Sequence, residues 1–449
     1  MFLASRKFRT FGKLAIKIKS MKILLVSHTF EPELNGVSRV VSMLAESLVS
    51  RGCEVTVATQ FNATRKSLIW KGIKIEQFKI SGNAVAGMKG EVARYQAFTQ
   101  NGNWDIQHHH ACQIWGFDAL LDWFSHKNRK IIVTPHGFSQ LHNPDWKGYF
   151  SNFKKLSNYI DSFTCLSENA EEKVFLENAG VENIRIIPNG VNLEEFGINS
   201  ENSRLQIGSS GCPDYKSGQA VNTETGRLQI GSSGCPDYKS GQAVNTETGR
   251  LQIGSSICPD FKYRQADKFQ ILNVSNHVST KGHRVLHELA QKYPEIVVRN
   301  VGKSVDVEKW NLGKLGLKLP CYYQCKLQNV IIPNFHTLNL SRLELISAYK
   351  QADIFVMPSD IEAAPLVILE AMAAGLPWVS FDVGNVKELA GGLVVKNKSE
   401  LFEAVLYLKN NPEICQKLSL EGQDFVRKHH DWKNISEKYW ELYVALSNG

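Results

Sequence analysis

Residues 352–389 read ADIFVMPSDIEAAPLVILEAMAAGLPWVSFDVGNVKEL, and this stretch decides the fold. The short apolar run DIFVMPS (353–359) is typical of a strand that is buried on both faces. Pro365 suits the first position of a helix and Gly375 suits its end, so we predict a helix over 365–374. PWVSFD (377–382) is the next strand. This order predicts a βαβ unit in a parallel sheet.

The same alternation continues on both sides of this stretch. Helical spacing of apolar residues predicts helices over 37–52 and 283–293. Further strands are predicted at KILLVS (22–27), EVTVAT (54–59), KIIVTP (130–135), DSFTCLS (161–167), IRIIP (184–188), FQILNVS (269–275), EIVVRNV (295–301) and NVIIPNF (329–335). We therefore predict an α/β protein with two doubly wound domains, 21–190 and 262–425. Ligands of such sheets bind at the carboxyl ends of strands, and we expect a site in the cleft between the domains.

The net charge of +8, from 52 basic and 44 acidic residues in 449, is concentrated at the N-terminus. Residues 1–20 carry six basic residues and no acidic one, so the rest of the chain is nearly neutral and gives no support for nucleic-acid binding. Three interpretations of this extension remain open. It is a basic amphipathic arm on an anionic membrane, an organelle transit peptide, or an upstream extension before Met21, which begins MKILLVS.

A tandem repeat interrupts the middle of the chain. The 23-residue unit at 204–226 recurs unchanged at 227–249, and a third copy starts at Arg250. The unit is rich in Gly, Ser and Thr and has few large apolar residues, so it cannot bury a face. We predict a flexible surface insertion over 199–261.

The nine cysteines form no recognisable framework. Cys321 and Cys325 are four residues apart, which is not the CxxC spacing, and we predict neither disulfides nor a zinc site. Successive histidines on a strand point to alternate faces, so His108, His109 and His110 do not bind one metal together. We expect a protein of the reducing cytosol that needs no metal. No apolar run approaches the length of a membrane span.

Two loops after predicted strands suit phosphate groups. Gly36 stands directly before the first helix, where the backbone can approach an anion and the helix N-terminus offers free N–H groups. Lys281 and Gly282 precede a helix in the second domain, and a cation there suits a pyrophosphate. An ordinary strand–helix turn and a solvated lysine are the alternatives. The dinucleotide fingerprint GxGxxG is missing, which disfavours a nicotinamide-dependent oxidoreductase.

Three further side chains are candidates for chemistry. Glu362 follows a predicted strand and Glu370 lies one turn into the next helix, where carboxylates can accept hydrogen bonds from sugar hydroxyls. A structural, capping role is the alternative for Glu370. His136, in the segment PHG, is either an acid–base residue or a structural hydrogen-bonding group.

These residues carry a resemblance to a known family. Glu362 and Glu370, with seven residues between them, resemble the E-x7-E region of the retaining GT-B glycosyltransferases of family 4. Four further segments resemble the family's glycine loop, active-site histidine segment, interdomain linker and terminal helix. They are EPELNGVSRV (31–40), VTPHG (133–137), IPNGVNLEEF (187–196) and DWKNISEKYWELYVAL (431–446). The likeness covers nearly all of 21–449 except the repeat.

The resemblance implies two Rossmann-like domains that face each other across a cleft, with a crossing helix at 430–449. It also implies a retaining hexosyltransferase that moves a sugar from a nucleotide-sugar donor to a glycan, glycolipid or lipid-linked acceptor, as in polysaccharide biosynthesis. The protein would be cytoplasmic or peripheral at the inner face of the membrane, with neither nucleic-acid partner nor metal cofactor.

The family's motifs assign roles to individual residues. Glu370 would hold the ribose of the donor, Glu362 its sugar, and Lys281 the leaving diphosphate. His136 would lie near the transferred sugar. The remaining expected donor contacts are Gly36, Asn276, His277, Ala364 and Leu366.

The sequence departs from the family pattern at three places. One is Asn35, which stands where a second glycine is common in the glycine loop. Asn276, followed by His277, stands where the family commonly has an arginine. Ala363, Ala364 and Pro365 replace a glycine-phenylalanine-glycine segment, and Pro365 has no N–H to donate. These departures motivate the alternative of a non-catalytic or decayed relative that binds nucleotide-sugars.

Overall fold

The computed structural model describes residues 21–33, 35–198, 268–303 and 321–448. The predicted extension (1–20) and the predicted insertion (199–261) lie outside the described residues. The described residues form two compact units. The first contains those up to Thr134, His142–Ser162 and those from Tyr443 onward; the second contains Pro135–Leu141 and those of Phe163–Leu442. The predicted domain boundaries, 21–190 and 262–425, stay predictions.

The first unit is an α/β fold around a mostly parallel sheet. Its strands are β1 (Lys22–Ser27), β2 (Glu54–Gln60), β3 (Ile69–Trp70), β4 (Ile73–Phe78), β5 (Ile80–Ser81), β6 (Lys89–Gly90), β7 (Ile106–His110) and β8 (Lys130–Thr134). Its helices are α1 (Gly36–Ser50), α2 (Val92–Asn101), α3 (Trp115–Asp118) and α4 (Lys147–Leu156). The strand order inside this unit is β8-β7-β1-β2-β4-β3, with only β3 antiparallel to its neighbour.

The second unit has a six-stranded parallel sheet. Earlier in the chain, β9 (Ser162–Cys165) and β10 (Ile184–Ile186) pair in parallel, with α5 (Glu171–Asn178) between the two strands. The elements of the main sheet and its helices are β11 (Phe269–Val274), α6 (His283–Lys292), β12 (Ile296–Val301), α7 (Cys321–Ile331), β13 (Phe335–Leu338), α8 (Arg342–Gln351), β14 (Ile354–Met357), α9 (Leu366–Ala373), β15 (Trp378–Phe381), β16 (Gly392–Val395), α10 (Lys398–Asn410) and α11 (Pro412–His429).

The order of this sheet creates a switch point. The strands run β13-β12-β11-β14-β15-β16, all parallel. The chain therefore winds outward from β11 in one direction and then from β14 in the other, which is the doubly wound arrangement we predicted. Apolar side chains from both faces of this sheet form the core, including Ile271, Phe355 and Trp378, none of which is exposed. The loops after β11 and β14 part at the carboxyl edge, where ligands bind in such sheets.

The predicted strand at NVIIPNF (329–335) is wrong. Its first three residues end helix α7, and β13 begins only at Phe335. Val330 and Ile331 are 82% and 59% exposed, so they are not strand residues buried on both faces. Periodicity cannot separate a short apolar run in a helix from one in a strand. Pro333 lacks the N–H that continued helical bonding requires, so the helix ends before it.

The last helix, α12 (Trp432–Asn448), begins in the second unit and ends in the first. Inside the first unit, the hydroxyl of Tyr443 lies 2.6 Å from Nδ1 of His108, and both side chains are fully buried. The chain therefore returns to the first unit at its end, as the fold prediction required. Among the helices of the described ranges, none is both long and apolar enough to cross a bilayer.

Candidate functional site

Lys281 and Glu362 meet at the switch point of the second unit. Lys281 is in the loop after β11 and Glu362 is in the loop after β14, and these strands are neighbours. Nζ of Lys281 donates a hydrogen bond to Oε1 of Glu362 over 2.7 Å. Their side chains are 22% and 17% exposed, so solvent screens this ion pair only in part. The structure thus brings together two residues that sequence predicted for one site.

Backbone contacts fix the Lys281 loop against the Glu362 loop. Gly282 has φ +66°, a left-handed conformation that favours glycine, and a Cβ there would collide with the carbonyl oxygen of Pro358. The N–H of Asp360 donates to the carbonyl of Thr280 over 2.8 Å. The glycine next to Lys281 is therefore required for close packing of the two loops.

The segment between Glu362 and helix α9 is held from its other side. The N–H of Asn385 donates to the carbonyl of Ala363 over 3.0 Å. The side chain of Asn189 donates to the carbonyl of Ala364 over 2.8 Å. Helix α9 starts at Leu366, with Pro365 as its N-cap. The predicted donor contacts Ala364 and Leu366 therefore lie on a fixed turn at a helix N-terminus.

Glu370 is paired with an arginine that sequence did not single out. Nη1 of Arg342 donates to Oε1 of Glu370 over 2.6 Å. The same guanidinium binds Oε2 of Glu195 through Nε at 2.9 Å and Nη2 at 2.6 Å. Burial alone lowers the pKa of Arg342, but the two carboxylates outweigh it and raise this pKa above its ordinary value. Arg342 is therefore charged and links the two glutamates.

His136 lies in the second unit, on a turn beside the Glu362 loop. It has φ +56°, and a Cβ on the next residue, Gly137, would lie 3.1 Å from Cβ of Ala363. Burial lowers the pKa of His136 to about 4. The imidazole is therefore neutral near pH 7 and can both donate and accept a hydrogen bond.

The other predicted donor contacts are Gly36, in the first unit, and Asn276 and His277, in the loop after β11. Gly36 opens α1 in the first unit, and a Cβ there would meet nothing within 4 Å, so its packing leaves room for an approaching group. Asn35 caps this helix by accepting from the N–H of Ser38 over 2.9 Å. Asn276 is half-buried, whereas His277 is buried with its ring against His283 and Tyr322.

Two family models match separate parts of the chain. The model for Glycosyltransferase Family 4 matches residues 34–195, and the model for Glycosyl transferases group 1 matches residues 260–425. Together they account for most of the chain. The chain belongs to the family 4 glycosyltransferases.

Solved structures of low sequence identity share the fold of this glycosyltransferase. Sucrose-phosphate synthase from Thermosynechococcus elongatus superposes with a TM-score of 0.66 at 16% identity, over 95% of this chain and 99% of the other. Anabaena HepE, determined in complex with UDP-glucose, superposes with a TM-score of 0.61 at 15% identity, over 95% and 100%. Both are glycosyltransferases of the GT-B fold, so the predicted fold class is confirmed.

Curated relatives match only part of their own length. An uncharacterized glycosyltransferase of Haemophilus influenzae is 31% identical over 182 residues, which is 37% of this chain and 48% of that protein. The sulfoquinovosyl transferase of Arabidopsis thaliana is 30% identical over 125 residues, 28% of this chain and 22% of that protein. The glycosyltransferase chain thus spans less than half the length of these relatives.

Sequence reasoning missed two site residues of this glycosyltransferase. Arg342 begins helix α8, and Glu195 lies in a turn 147 residues earlier. The sequence IPNGVNLEEF (187–196) was noticed only as a linker. The only sign of this ion pair in the sequence is that the linker carries two adjacent glutamates, one of which, Glu195, binds Arg342.

Proposed function

We propose that this glycosyltransferase moves a sugar from a nucleotide-sugar donor to a glycan or glycolipid acceptor with retention of configuration. The observation that carries the proposal is the Lys281–Glu362 pair at the switch point of the second unit. A cation and a carboxylate at the carboxyl ends of neighbouring strands suit a ligand with a diphosphate and a sugar.

Lys281 binds the leaving diphosphate in this proposal. The bond between the sugar's anomeric carbon and the phosphate oxygen breaks, and negative charge grows on that oxygen. A fixed ammonium group stabilises this charge most where water is excluded, and Lys281 is largely buried. The acceptor oxygen bonds to the anomeric carbon on the same face, and its proton passes to the departing phosphate. Electrons and protons then balance without a further reactant.

Glu362 changes partner when the donor binds. Without a ligand it neutralises Lys281 at 2.7 Å. When the diphosphate takes over Lys281, the carboxylate is released to accept hydrogen bonds from sugar hydroxyls. The pair therefore keeps the site charge-balanced without donor and gives the sugar an acceptor when donor is present.

Glu370 accepts hydrogen bonds from the ribose. Arg342 binds its Oε1 and also Glu195, so the side chain of Glu370 has a fixed position and a compensated charge. Glu370 is 7% exposed, and a carboxylate so buried needs such a partner. A vicinal diol donates well to a positioned carboxylate, which supports the ribose assignment.

His136 contributes a hydrogen bond to the transferred sugar in this proposal. Its pKa of about 4 makes it a poor proton donor near pH 7, because hardly any of it is protonated there. We therefore assign it a positioning role. The predicted contact of Gly36 with the donor phosphates stays a prediction.

Donor selection tests the proposal. Purified protein is titrated with UDP-glucose, GDP-mannose and ADP-glucose, and both binding and slow donor hydrolysis are followed, since hydrolysis needs no acceptor. We expect saturable binding of one nucleotide class and loss of that binding in Glu370→Ala. NMR of the released or transferred sugar reports the anomeric configuration. Weak binding of every donor without turnover or hydrolysis contradicts the proposal and favours the non-catalytic relative.

A further inference from the structure

Two histidines and two cysteines converge beside the Lys281 loop. His277 lies in the loop after β11, His283 begins α6, and Cys321 and Cys325 come from the first turns of α7. One ligand atom from each residue lies within 4.8 Å of all the others. Nδ1 of His283 lies 3.0 Å from Sγ of Cys321.

The four side chains form a donor set that zinc prefers. Two imidazoles with two thiolates is a common structural zinc site, with bonds of about 2.0–2.1 Å to nitrogen and about 2.3 Å to sulfur. Tetrahedral ligands at these bond lengths lie about 3.3–3.8 Å from one another. The observed atoms, all within 4.8 Å of one another, therefore need to approach by about 1.5 Å at most to surround one ion.

Helix geometry and burial favour binding. Cys321 and Cys325 are four residues apart on α7, so their side chains lie on one face of the helix. His277, His283 and Cys325 are at most 3% exposed. Neither ring nitrogen of His277 has a hydrogen-bond partner that satisfies it. A buried imidazole whose nitrogens lack hydrogen-bond partners destabilises the fold, and a metal ion bound to one nitrogen would remove part of this cost.

A chain of hydrogen bonds selects the tautomer of His283 that can bind metal. The side-chain N–H of Asn273 donates to the carbonyl of Val356 over 2.8 Å, so its oxygen faces Ser275. The Ser275 hydroxyl donates to that oxygen over 2.9 Å and must accept from Nε2–H of His283, at 2.7 Å. Nδ1 of His283 then carries the lone pair, and it is the atom beside Cys321.

The sulfur of Cys321 is suited to metal binding. It lies 3.0 Å from Nδ1 of His283. The thiolate is the form of cysteine that coordinates metals. The spacing of the four ligands, with no further described ligand atom in the group, leaves a closed site typical of structural zinc.

We propose that His277, His283, Cys321 and Cys325 bind one zinc ion in a tetrahedral structural site. This assigns His277 to a metal ion, whereas sequence predicted a donor contact for it and no metal for the protein. The cysteine spacing misled sequence analysis because the partner histidines lie 38 residues or more away along the chain.

A zinc ion at this site would hold the loop that carries Lys281 in place. Its histidine ligands stand four residues before and two residues after Lys281, and its cysteine ligands stand on α7. Zinc would thus tie both ends of this short segment to one helix. This consequence alone rests on the proposed function, since it concerns the residue proposed to bind diphosphate.

Metal content tests the site. Protein is purified without a histidine tag, dialysed against buffer with a weak chelator, and analysed for metals by mass spectrometry. We expect one equivalent of zinc per chain. Cobalt exchanged into the protein should show thiolate-to-cobalt charge transfer in the near ultraviolet and the visible bands of a tetrahedral site. No retained zinc, together with no thiolate–cobalt absorption, overturns the proposal.

Variants locate the ion. Cys325→Ser should lose the zinc and the charge-transfer band, and Ser275→Ala should weaken zinc affinity about 10- to 100-fold by releasing His283. The control is a triple substitution of the repeat cysteines, Cys212→Ser, Cys235→Ser and Cys258→Ser. It should keep the full equivalent. Loss of zinc in this control, with retention in Cys325→Ser, contradicts the assignment. If Cys325→Ser fails to fold, the cobalt spectrum of the unsubstituted chain still decides.

Zinc removal separates this inference from the proposed function. A strong chelator should lower the midpoint of thermal unfolding of the unsubstituted chain, and added zinc should restore it. These readouts involve neither donor nor transfer. If zinc is present but no nucleotide-sugar binds, the site stands and the proposed function fails. If nucleotide-sugars bind but no zinc is found, the proposed function stands and the zinc site fails.

Discussion

Nζ of Lys281 lies 2.7 Å from Oε1 of Glu362, although the two residues are 81 positions apart in the chain. They meet because β11 and β14 are neighbouring parallel strands and each residue follows the carboxyl end of its strand. A diphosphate that binds Lys281 must therefore compete with a carboxylate. We therefore expect the Lys281–Glu362 ion pair to break whenever the donor binds.

Replacing Glu362 should strengthen the binding of a nucleoside diphosphate but slow sugar transfer. In Glu362→Gln, Lys281 has no competing carboxylate and the repulsion of an incoming diphosphate is lost, so a nucleoside diphosphate should bind several-fold more tightly. Sugar transfer and donor hydrolysis should fall by at least about tenfold, because the sugar loses a charged acceptor. Titration calorimetry and a turnover assay measure the two effects.

Asp360→Asn is the matched control for that variant. Asp360 is an exposed carboxylate in the same loop, two residues before Glu362. Its removal changes the net charge by the same amount and should leave both quantities nearly unchanged. Weaker binding of the nucleoside diphosphate in Glu362→Gln would contradict the competition described here.

Arg342→Met should destabilise the second unit. It leaves Glu370, which is 7% exposed, and Glu195 without their shared cation. Because the site is only partly buried, we expect a loss of about 2 kcal/mol in the free energy of unfolding. Lys428→Met removes an exposed ion pair with Asp424 and should change stability by less than about 0.5 kcal/mol. Urea unfolding compares the two, and equal effects would argue against a supporting role for Arg342.

Comparing Gly282→Ala with Gly180→Ala should distinguish a steric clash from the cost of a left-handed backbone conformation. Gly282 and Gly180 both have left-handed φ, at +66° and +79°. Alanine at 180 meets no atom within 4 Å, so Gly180→Ala should lose only about 1–2 kcal/mol of stability. Alanine at 282 also collides with the carbonyl of Pro358, so it should lose more and weaken nucleotide binding. Equal losses of stability in the two variants, measured by thermal unfolding, would show that the loop at Gly282 can move away from Pro358 at little cost.

Mild acid should destabilise the protein through two of its buried histidines. Burial lowers the pKa of both His109 and His136 to about 4, from 6.5 in an unfolded chain. Between these values the unfolded chain binds more protons at these two histidines, so their contribution to stability is lost as pH falls below about 6.5. Burial raises the pKa of Asp118 to about 6, and this carboxyl opposes part of the loss. Each histidine contributes up to about 1.4 kcal/mol per pH unit.

The pH dependence of urea unfolding between about pH 7 and about pH 5 checks this prediction. His136→Gln should reduce the slope of stability against pH over this range, because one of the depressed groups is gone. An unchanged slope would mean that the histidine is accessible to protons in the folded protein.

Sequence predicted the doubly wound fold because its buried strands are continuous apolar runs. KILLVS and FQILNVS became β1 and β11 with nearly the predicted ends. NVIIPNF failed because an apolar run at the exposed end of a helix looks the same as a short strand. Helix ends were predicted within two residues where glycine or proline marks them, as at Gly375.

The site was only partly predictable. Lys281 and Glu362 were found because each follows a recognisable strand, and strand ends converge in a parallel sheet. Arg342 was missed because nothing in SRLEL distinguishes a buried arginine from a solvated one. The group formed by His277, His283, Cys321 and Cys325 was missed because only the tertiary fold joins its two halves.

Titration of nucleoside diphosphate into Lys281→Gln tests the central claim most directly. The ligand is whichever of UDP, GDP and ADP the unsubstituted chain binds best, and Lys387→Gln, an exposed lysine paired with Asp382, is the control. The double variant Lys281→Gln/Glu362→Gln removes the unpaired carboxylate as a separate cause. We predict that Lys281→Gln and the double variant bind about 10- to 150-fold more weakly, as expected for loss of a charge-assisted hydrogen bond, while Lys387→Gln binds normally. Unchanged affinity in the double variant would contradict the claim that Lys281 holds the diphosphate.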